Sequence, residues 1–557
     1  QNPAGATPWR KGKVWDSTRV RDNKGPGNFK PYIWLGGASR GLSWFADNEK
    51  GWIMDWHTTP PCQTLHRDGD TVTLRVHLGQ KAIKLKEPRT ITFGLMASPA
   101  KPMPENWRRV GRPDAEQIHF RMGQLFGLDA VFAAKYPRGK DFSPFEKFYA
   151  IRTGENVNIN AFVRDWAENH LHDTMSGKLK NRYQQLMRII LRHAGKVGQN
   201  TYFTSYFDEF RSTIVWHEEM KSYWAEWTRE FENPWSPFID KQDHRYEDWN
   251  SRPKTVDDLK WGRETGTIGP SYRNFGCYYA AEWLKKGVGI YFDNAFPQPA
   301  YNLINTSAYV RDDGRIQPSA GIWARRQYLR RIWVLHQELF DPKAPQIMML
   351  HMTNTHVLPY GVWNQSTLDL EWKMNAPAPF QTKFSPALLR AESIGLQSGN
   401  DPLAMVQPGK KRKTPKGMTD EQFEAIDQTY RYGLYIHEIK YAPNISTISP
   451  PQPMVDFGYG LEDCEVWNYW DDDAPLGLTD SKCKWLLLKR QGKLLLVLAT
   501  WNKNEADITA TLDLDALGLN TVAVKDAKTG AEVADITEGA FAFNINGFGV
   551  HALILAP

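Results

Sequence analysis

The sequence predicts a multidomain chain of α/β plus all-β class: a (β/α)8 barrel flanked by an N-terminal β-sandwich and a small C-terminal β-sandwich. Three observations point there. Short alternating segments broken by Gly, Asp and Asn turns occupy both ends of the chain. Between them, apolar runs alternate with longer amphipathic stretches. At 557 residues the chain also exceeds what one hydrophobic core can organise.

Residues 1–105 read as the first sandwich. "YIWLGGASRGLSWFADNEKGWIM" holds aromatic runs separated by Gly and Asp-Asn turns, and "DTVTLRVHL" and "RTITFGLMAS" alternate as half-buried strands do. The prolines of "SPAKPMPENW" mark a linker. The chain opens "QNPAGATPWRKGKVWD", without Met, which reads as a mature or trimmed start whose preceding segment lies outside this sequence.

Residues 106–475 read as the barrel. Its candidate strands are "QIHFRMG", "TYFTSYFDE", "GVGIYFDN", "QIMMLHMT", "STLDLEW", "ALLRAES", "LAMVQPG" and "CEVWNYWDD". Helical stretches such as "NRYQQLMRIILRHAGKVG" and "RRQYLRRIWVLHQELF" lie between them, so the strands are expected to run parallel. A doubly wound open sheet is the alternative, but no GxGxxG follows a first strand. Residues 480–557 return to short strands, among them "KLLLVLATWN", "DITATLDL" and "GVHALILA", and read as the second sandwich.

Composition narrows the function. A net charge of +6 is small for this length and gives no support for a nucleic-acid partner. The basic run "GKKRKTPKGMTDEQ" reads as a solvated loop. No run of apolar residues is long enough to span a membrane. Cys62, Cys277, Cys464 and Cys483 form no CxxC or Cys/His cluster, so no metal is expected, and their pairing is left open. With 23 Trp, 22 Tyr and 26 Phe, many beside acids and amides, the chain is equipped for sugars, whose C–H faces pack on rings while their hydroxyls take hydrogen bonds.

The acids carry the chemistry. In a (β/α)8 barrel the strand C-termini face the active site. Asp208 and Glu209 close "TYFTSYFDE", Asp293 and Asn294 close "GVGIYFDN", Asp369, Glu371 and Trp372 belong to "STLDLEW", and Glu392 to "ALLRAES". A protonated carboxyl donates to a leaving oxygen while an ionised one attacks or activates water, which cleaves a glycosidic bond without a cofactor. Asp293, Glu371, Asp369, Asp208 and Glu209 are therefore the catalytic candidates. Asn294, Trp216, Trp363, Trp372, Glu392, His351 and Trp470 are the candidates for holding an oligo- or polysaccharide. Each acid also has a structural reading, as a helix cap or loop pin. Asp471 to Asp473 read chiefly as a turn cluster.

"IWLGGASRGLSWFADNEKGW", "PRTITFGLMASPAKPMP", "GVGIYFDN" and "KLLLVLATWNKNEADITATLDLDALGL" together resemble large bacterial glycoside-hydrolase-like proteins, distantly related to the family 123 β-N-acetylgalactosaminidases. The resemblance covers most of the chain and implies the three-part architecture and a glycoside substrate. Family 123 enzymes use an adjacent Asp-Glu pair with the substrate's acetamido group. Asp208-Glu209 is the one such strand-end pair here, and its flanks do not align firmly with that motif. Counting "QIHFRMG" first and "VNINAFV" second instead puts Asp293 after a fourth strand and Glu371 on a sixth, as in retaining α-galactosidase-type barrels. The rival readings are a polysaccharide lyase and a non-catalytic carbohydrate-binding or surface-layer protein on a degenerate barrel. Export to the periplasm or medium is expected, since polymeric glycans are met there.

Overall fold

The fold is seen in a computed structural model. It describes residues 11–18, 28–37, 40–103, 119–122, 154–170, 177–194, 201–207, 213–214, 263–264, 268–285, 289–292, 295–297, 299–339, 348–351, 356–374, 395–408, 417–424, 444–445, 450–469, 473–500, 502–519 and 523–556, with a few single positions between them. At its centre is a seven-stranded sheet. Its strands are β1 (His119–Met122), β2 (Thr201–Phe207), β3 (Gly289–Phe292), β4 (Met348–His351), β5 (Ser366–Met374), β6 (Asp401–Pro408) and β7 (Asn444–Ile445). Every pairing is parallel. The strands lie side by side in chain order without a reversal. A doubly wound sheet reverses its order at a switch point, so that alternative is set aside. Among the described residues no ladder joins β1 to β7.

Helices connect the strands. α1 (Ile159–His170) and α2 (Gly177–Ala194) precede β2, α3 (Pro270–Leu284) precedes β3, and α4 (Ile322–Leu339) leads to β4. α1 corrects the sequence reading of "VNINAFV" as a strand. Val163, Trp166 and Ala167 are buried at helical spacing, and Asn158 Oδ1 accepts the Ala161 N–H at 3.1 Å as an N-cap. The strand count drops accordingly: Asp293 follows the third described strand, and Glu371 lies in the fifth. α4 buries Ile322, Arg325, Tyr328, Leu329, Ile332 and His336 along one stripe. α3 meets it closely at Gly276, where a Cβ would lie 1.9 Å from the Tyr328 hydroxyl.

The N-terminal residues form two three-stranded antiparallel sheets. Gly12–Asp16, Gln63–Asp68 and Thr71–Val76 make one, and Tyr32–Gly36, Gly41–Phe45 and Gly94–Ser98 the other. Val14, Trp15 and Leu65 of the first meet Ile33 and Leu35 of the second, which makes this a sandwich. A second cluster of Trp44, Trp52, Met54 and Cys62 fills the adjoining end.

The C-terminal part pairs a six-stranded with a three-stranded sheet. Leu487, Leu496, Leu498, Leu553 and Leu555 of the larger sheet share a core with Ile508, Leu512, Phe541 and Ile545 of the smaller. Ala506–Leu512 alternates as expected, with Ile508, Ala510 and Leu512 inward. "CEVWNYWDD", read as a barrel strand, is corrected here. Glu465–Asn468 pairs antiparallel with Cys483–Arg490, so this sheet gathers its first strand well before residue 480. Asp471 Oδ2 then accepts the Asn468 N–H at 2.8 Å, the turn role read from its sequence. All four cysteines are buried and free, so none is bridged.

Between β4 and β5 the described chain holds one short helix, Leu358–Gly361. The N-terminal sandwich fills that flank. Phe45 is part of the core formed by α3, α4, β3 and β4, with its ring 4.8 Å from Trp323, and Tyr32 and Met96 pack beside it.

Candidate active site

The C-terminal ends of the parallel strands fall in register. Phe207 closes β2 opposite Phe292, which closes β3. Phe292 in turn faces Leu350, and the next residue of β4, His351, faces Leu368 of β5. In the sequence Phe207 is followed by Asp208-Glu209 and Phe292 by Asp293-Asn294. Those four residues, with Trp216, Glu392 and Trp470, lie outside the described residues.

His351 stands at this edge and is buried, 3% exposed. Its Nδ1 lies 2.6 Å from the Tyr291 hydroxyl. The Phe292 ring meets Tyr328 of α4, so Ile290 and Phe292 face the helices. By the two-residue period of a strand, Tyr291 and His351 occupy the opposite face of the sheet. The backbone fixes the edge further. Ala295 N–H donates to the His351 carbonyl at 2.9 Å, and the Tyr360 hydroxyl donates to the Ala295 carbonyl at 2.7 Å. Tyr291 was not singled out in the sequence, where it is one aromatic in an apolar run.

Asp369, Glu371 and Trp372 depart from the strand-end expectation. β5 continues to Met374, so none of them closes it. Asp369 pairs with Ala404 and Trp372 with Val406, so Leu370 and Glu371 stand against Met405 alone. Two residues against one is the count of a β-bulge, a device that re-aims side chains near active sites. Trp363 precedes β5, at the opposite end of the strands from His351. Its ring lies 5.7 Å from Trp333 of α4, with the Arg326 guanidinium 5.3 Å away. The structure thus brings Trp363 to the helical layer and not to the edge where β2, β3 and β4 end.

A polar cluster absent from the sequence reading lies between the sandwich and the loop from β3 to α4. Asp47 Oδ1 accepts the backbone N–H groups of Ile322 and Trp323 at 2.6 and 3.3 Å, capping α4 from another domain. Asn48 Nδ2 donates to the carbonyls of Ser307 and Pro318 at 2.7 and 3.3 Å. Glu49 is wholly buried, and its Oε1 accepts the Tyr309 hydroxyl at 3.1 Å. Burial pushes the Glu49 carboxyl up to about 7, against the opposing pull of the Tyr309 and Gln317 bonds and the Arg311 charge. Burial and the nearby Glu49 charge likewise raise the Tyr309 hydroxyl. No local pattern announces this cluster, because its partners lie 259 to 276 residues away.

Among the described residues no three His, Cys, Asp or Glu side chains converge as metal ligands. No described helix is long and apolar enough to cross a membrane.

Residues 455–542, which carry most of the C-terminal sheets, match a known domain model. It is the glycoside hydrolase 123 C-terminal domain. Through that domain the chain is related to glycoside hydrolase family 123. No curated protein matches the chain. Solved structures similar to it include the noncanonic maltogenic α-amylase AmyB of Thermotoga neapolitana, at 10% identity and TM-score 0.32, over 66% of this chain and 80% of that one. An Anoxybacillus α-amylase matches at 8% identity and TM-score 0.34, over 66% and 78% of the two chains. A family 27 β-L-arabinopyranosidase from Geobacillus stearothermophilus matches at 10% identity and TM-score 0.32, over 53% and 65%.

Proposed function

We propose that the chain is an exported glycoside hydrolase that cleaves an oligo- or polysaccharide at the C-terminal edge of its parallel sheet. The sheet is taken as seven strands of a (β/α)8 barrel, set between the N-terminal sandwich of residues 1–105 and a C-terminal sandwich that begins near Glu465. One observation carries the reading. β2 and β3 end in register at Phe207 and Phe292, and in both the sequence continues with an acid. The relation of residues 455–542 to family 123 supports the substrate class.

In this reading Asp293 and one member of Asp208-Glu209 form the working pair. One carboxyl protonates the leaving oxygen, and the other stabilises or attacks the anomeric carbon as positive charge develops. Neighbouring strands stand about 4.8 Å apart. That spacing suits the ~5–5.5 Å separation of a retaining pair better than the ~6.5–9.5 Å of an inverting one. A pair drawn from β3 and β5, Asp293 with Glu371, is the alternative, two strands apart as in the retaining α-galactosidase-type barrels. His351 and Tyr291 then line the inner face beside the pair.

The test is turnover on a broad glycan panel, with the anomeric configuration of the first product followed by NMR. Retention is expected. Inversion would overturn a pair drawn from adjacent strands, since it needs carboxyls ~6.5–9.5 Å apart. Products with an unsaturated, ultraviolet-absorbing end would make the chain a lyase, and binding without turnover would make it a carbohydrate-binding protein.

A further inference from the structure

We propose that the Asp47-Asn48-Glu49 turn of the N-terminal sandwich is a positioning element for the loop that leaves β3, so that the sandwich sets the geometry of the catalytic edge. The catalytic half of this statement rests on the glycoside-hydrolase reading.

The loop begins at the sheet edge described above. Ala295 is held to β4 by its bond to the His351 carbonyl. Ala300 and Ser319 then bridge the two arms of the loop, and Tyr309–Val310 pairs with Ile316–Gln317 as a short antiparallel ladder. The sandwich grips this loop along its return. Asp47 caps the helix into which it runs, and Asp47 Oδ2 accepts the Ser307 hydroxyl at 3.3 Å. Its carbonyl also accepts the Ala320 N–H at 2.8 Å. Asn48 takes the two carbonyls already described. Glu49 takes Tyr309, and the Arg311 guanidinium lies 3.6 Å over the Trp56 ring.

The chemistry of the contact shows what it does. An apolar seam would hold two domains together at least as well as one containing a buried carboxylate, because removing charge from water is costly. Apolar contact is non-directional, however, whereas hydrogen bonds fix an angle and a register. Here three consecutive side chains each make directed bonds to one loop. The arrangement sacrifices burial energy for placement, and the loop it places starts beside the acid that follows β3.

The experiment uses the full chain and compares Glu49→Ala, Glu49→Gln and Tyr309→Phe. Amide hydrogen exchange of residues 299–321 and kcat and KM on the best wild-type glycan are the readouts. In Glu49→Ala and Tyr309→Phe, exchange in 299–321 is expected to rise about tenfold, the value of one hydrogen bond to a charged group. Exchange in strands 483–500 should not change. kcat should fall by a similar factor with KM little altered, and Glu49→Gln should restore both, because its amide oxygen still accepts from Tyr309. Exchange that is unchanged in the loop, or that rises equally throughout the chain, overturns the proposal, as does a loosened loop with wild-type kcat. A wild type that cleaves no glycan counts against the hydrolase reading instead, while the exchange data still decide whether the turn anchors the loop.

Discussion

Glu49 gives the protein a pH dependence whose sign can be worked out. In the unfolded chain its carboxyl titrates near 4.5, and in the folded chain burial raises it to about 7. Below the unfolded value both states hold the proton, and the folding contribution is fully present. As pH rises, the unfolded chain releases its proton first, so the folded state loses stability until the folded value is passed. At about 1.4 kcal/mol per pH unit, the gap amounts to ~3 kcal/mol lost by pH 8. The groups that face Glu49 are Tyr309, Gln317 and Arg311 from the loop side and Cys62 from the sandwich. Arg311 works against the shift, but burial is the larger effect. Glu49→Gln keeps an acceptor for Tyr309 and has nothing to titrate. Its thermal midpoint should match wild type at pH 4.5 and exceed it by about 2–3 °C at pH 8.5. Calorimetric scans across that range check this. Parallel curves, or a variant less stable than wild type at alkaline pH, would show that Arg311 stabilises an ionised Glu49 and that burial does not decide its state.

Three further outcomes are expected. Asp293→Asn should fold normally but turn over glycan about a hundredfold or more slowly, as when one electrostatic stabiliser is lost; a lowered melting temperature with near-full activity would make Asp293 a loop pin. Asp47→Ala removes a cap from α4 and should cost ~1–2 kcal/mol in urea unfolding, with Asp47→Asn largely sparing it. Phe45→Ala opens a hole in the core shared by the sandwich and the parallel sheet with its helices and should cost ~3–5 kcal/mol, measured the same way; a cost near zero would show that the two parts fold independently.

Legibility in the sequence followed the range of the interactions. The C-terminal strands could be read because alternation such as Ile508, Ala510 and Leu512 reports a local face. β3 and β4 could be read because short, wholly buried runs leave no polar positions. Reading failed where two periods competed. "VNINAFV" is apolar enough for a strand, and the decisive residues, Trp166 and Ala167, lie beyond it on the next helical turn. Glu465–Asn468 has the length of a barrel strand, and only its partner Cys483–Arg490 shows which sheet it joins. The extent of β5 through Met374 and its extra residue at Glu371 depend on β6, so no local pattern could locate the acids along it. At the candidate site the acid-after-strand pattern was visible at Asp208 and Asp293. The in-register ending of their strands was not, because register belongs to the pairing and not to either segment.

The same distinction accounts for the place of the N-terminal sandwich. Taken alone, residues 1–105 resemble an appended module joined by a proline-rich linker. The flank of the parallel sheet between β4 and β5 has one short described helix, Leu358–Gly361, where a barrel ordinarily lays a long one. An apolar sheet face cannot be left in water, so another surface must cover it. Phe45, Tyr32 and Met96 supply that surface, and Leu358 N–H donates to the Tyr32 hydroxyl at 3.4 Å. At the other end of the contact Lys101 Nζ donates to the Asn364 carbonyl at 2.6 Å, and Gln397 Nε2 to the Gly37 carbonyl at 3.2 Å. The sandwich therefore acts as a wall of the central domain along the length of these strands. A unit packed on the central sheet in this way can also fix the loop after β3, because Asp47, Asn48 and Glu49 belong to it.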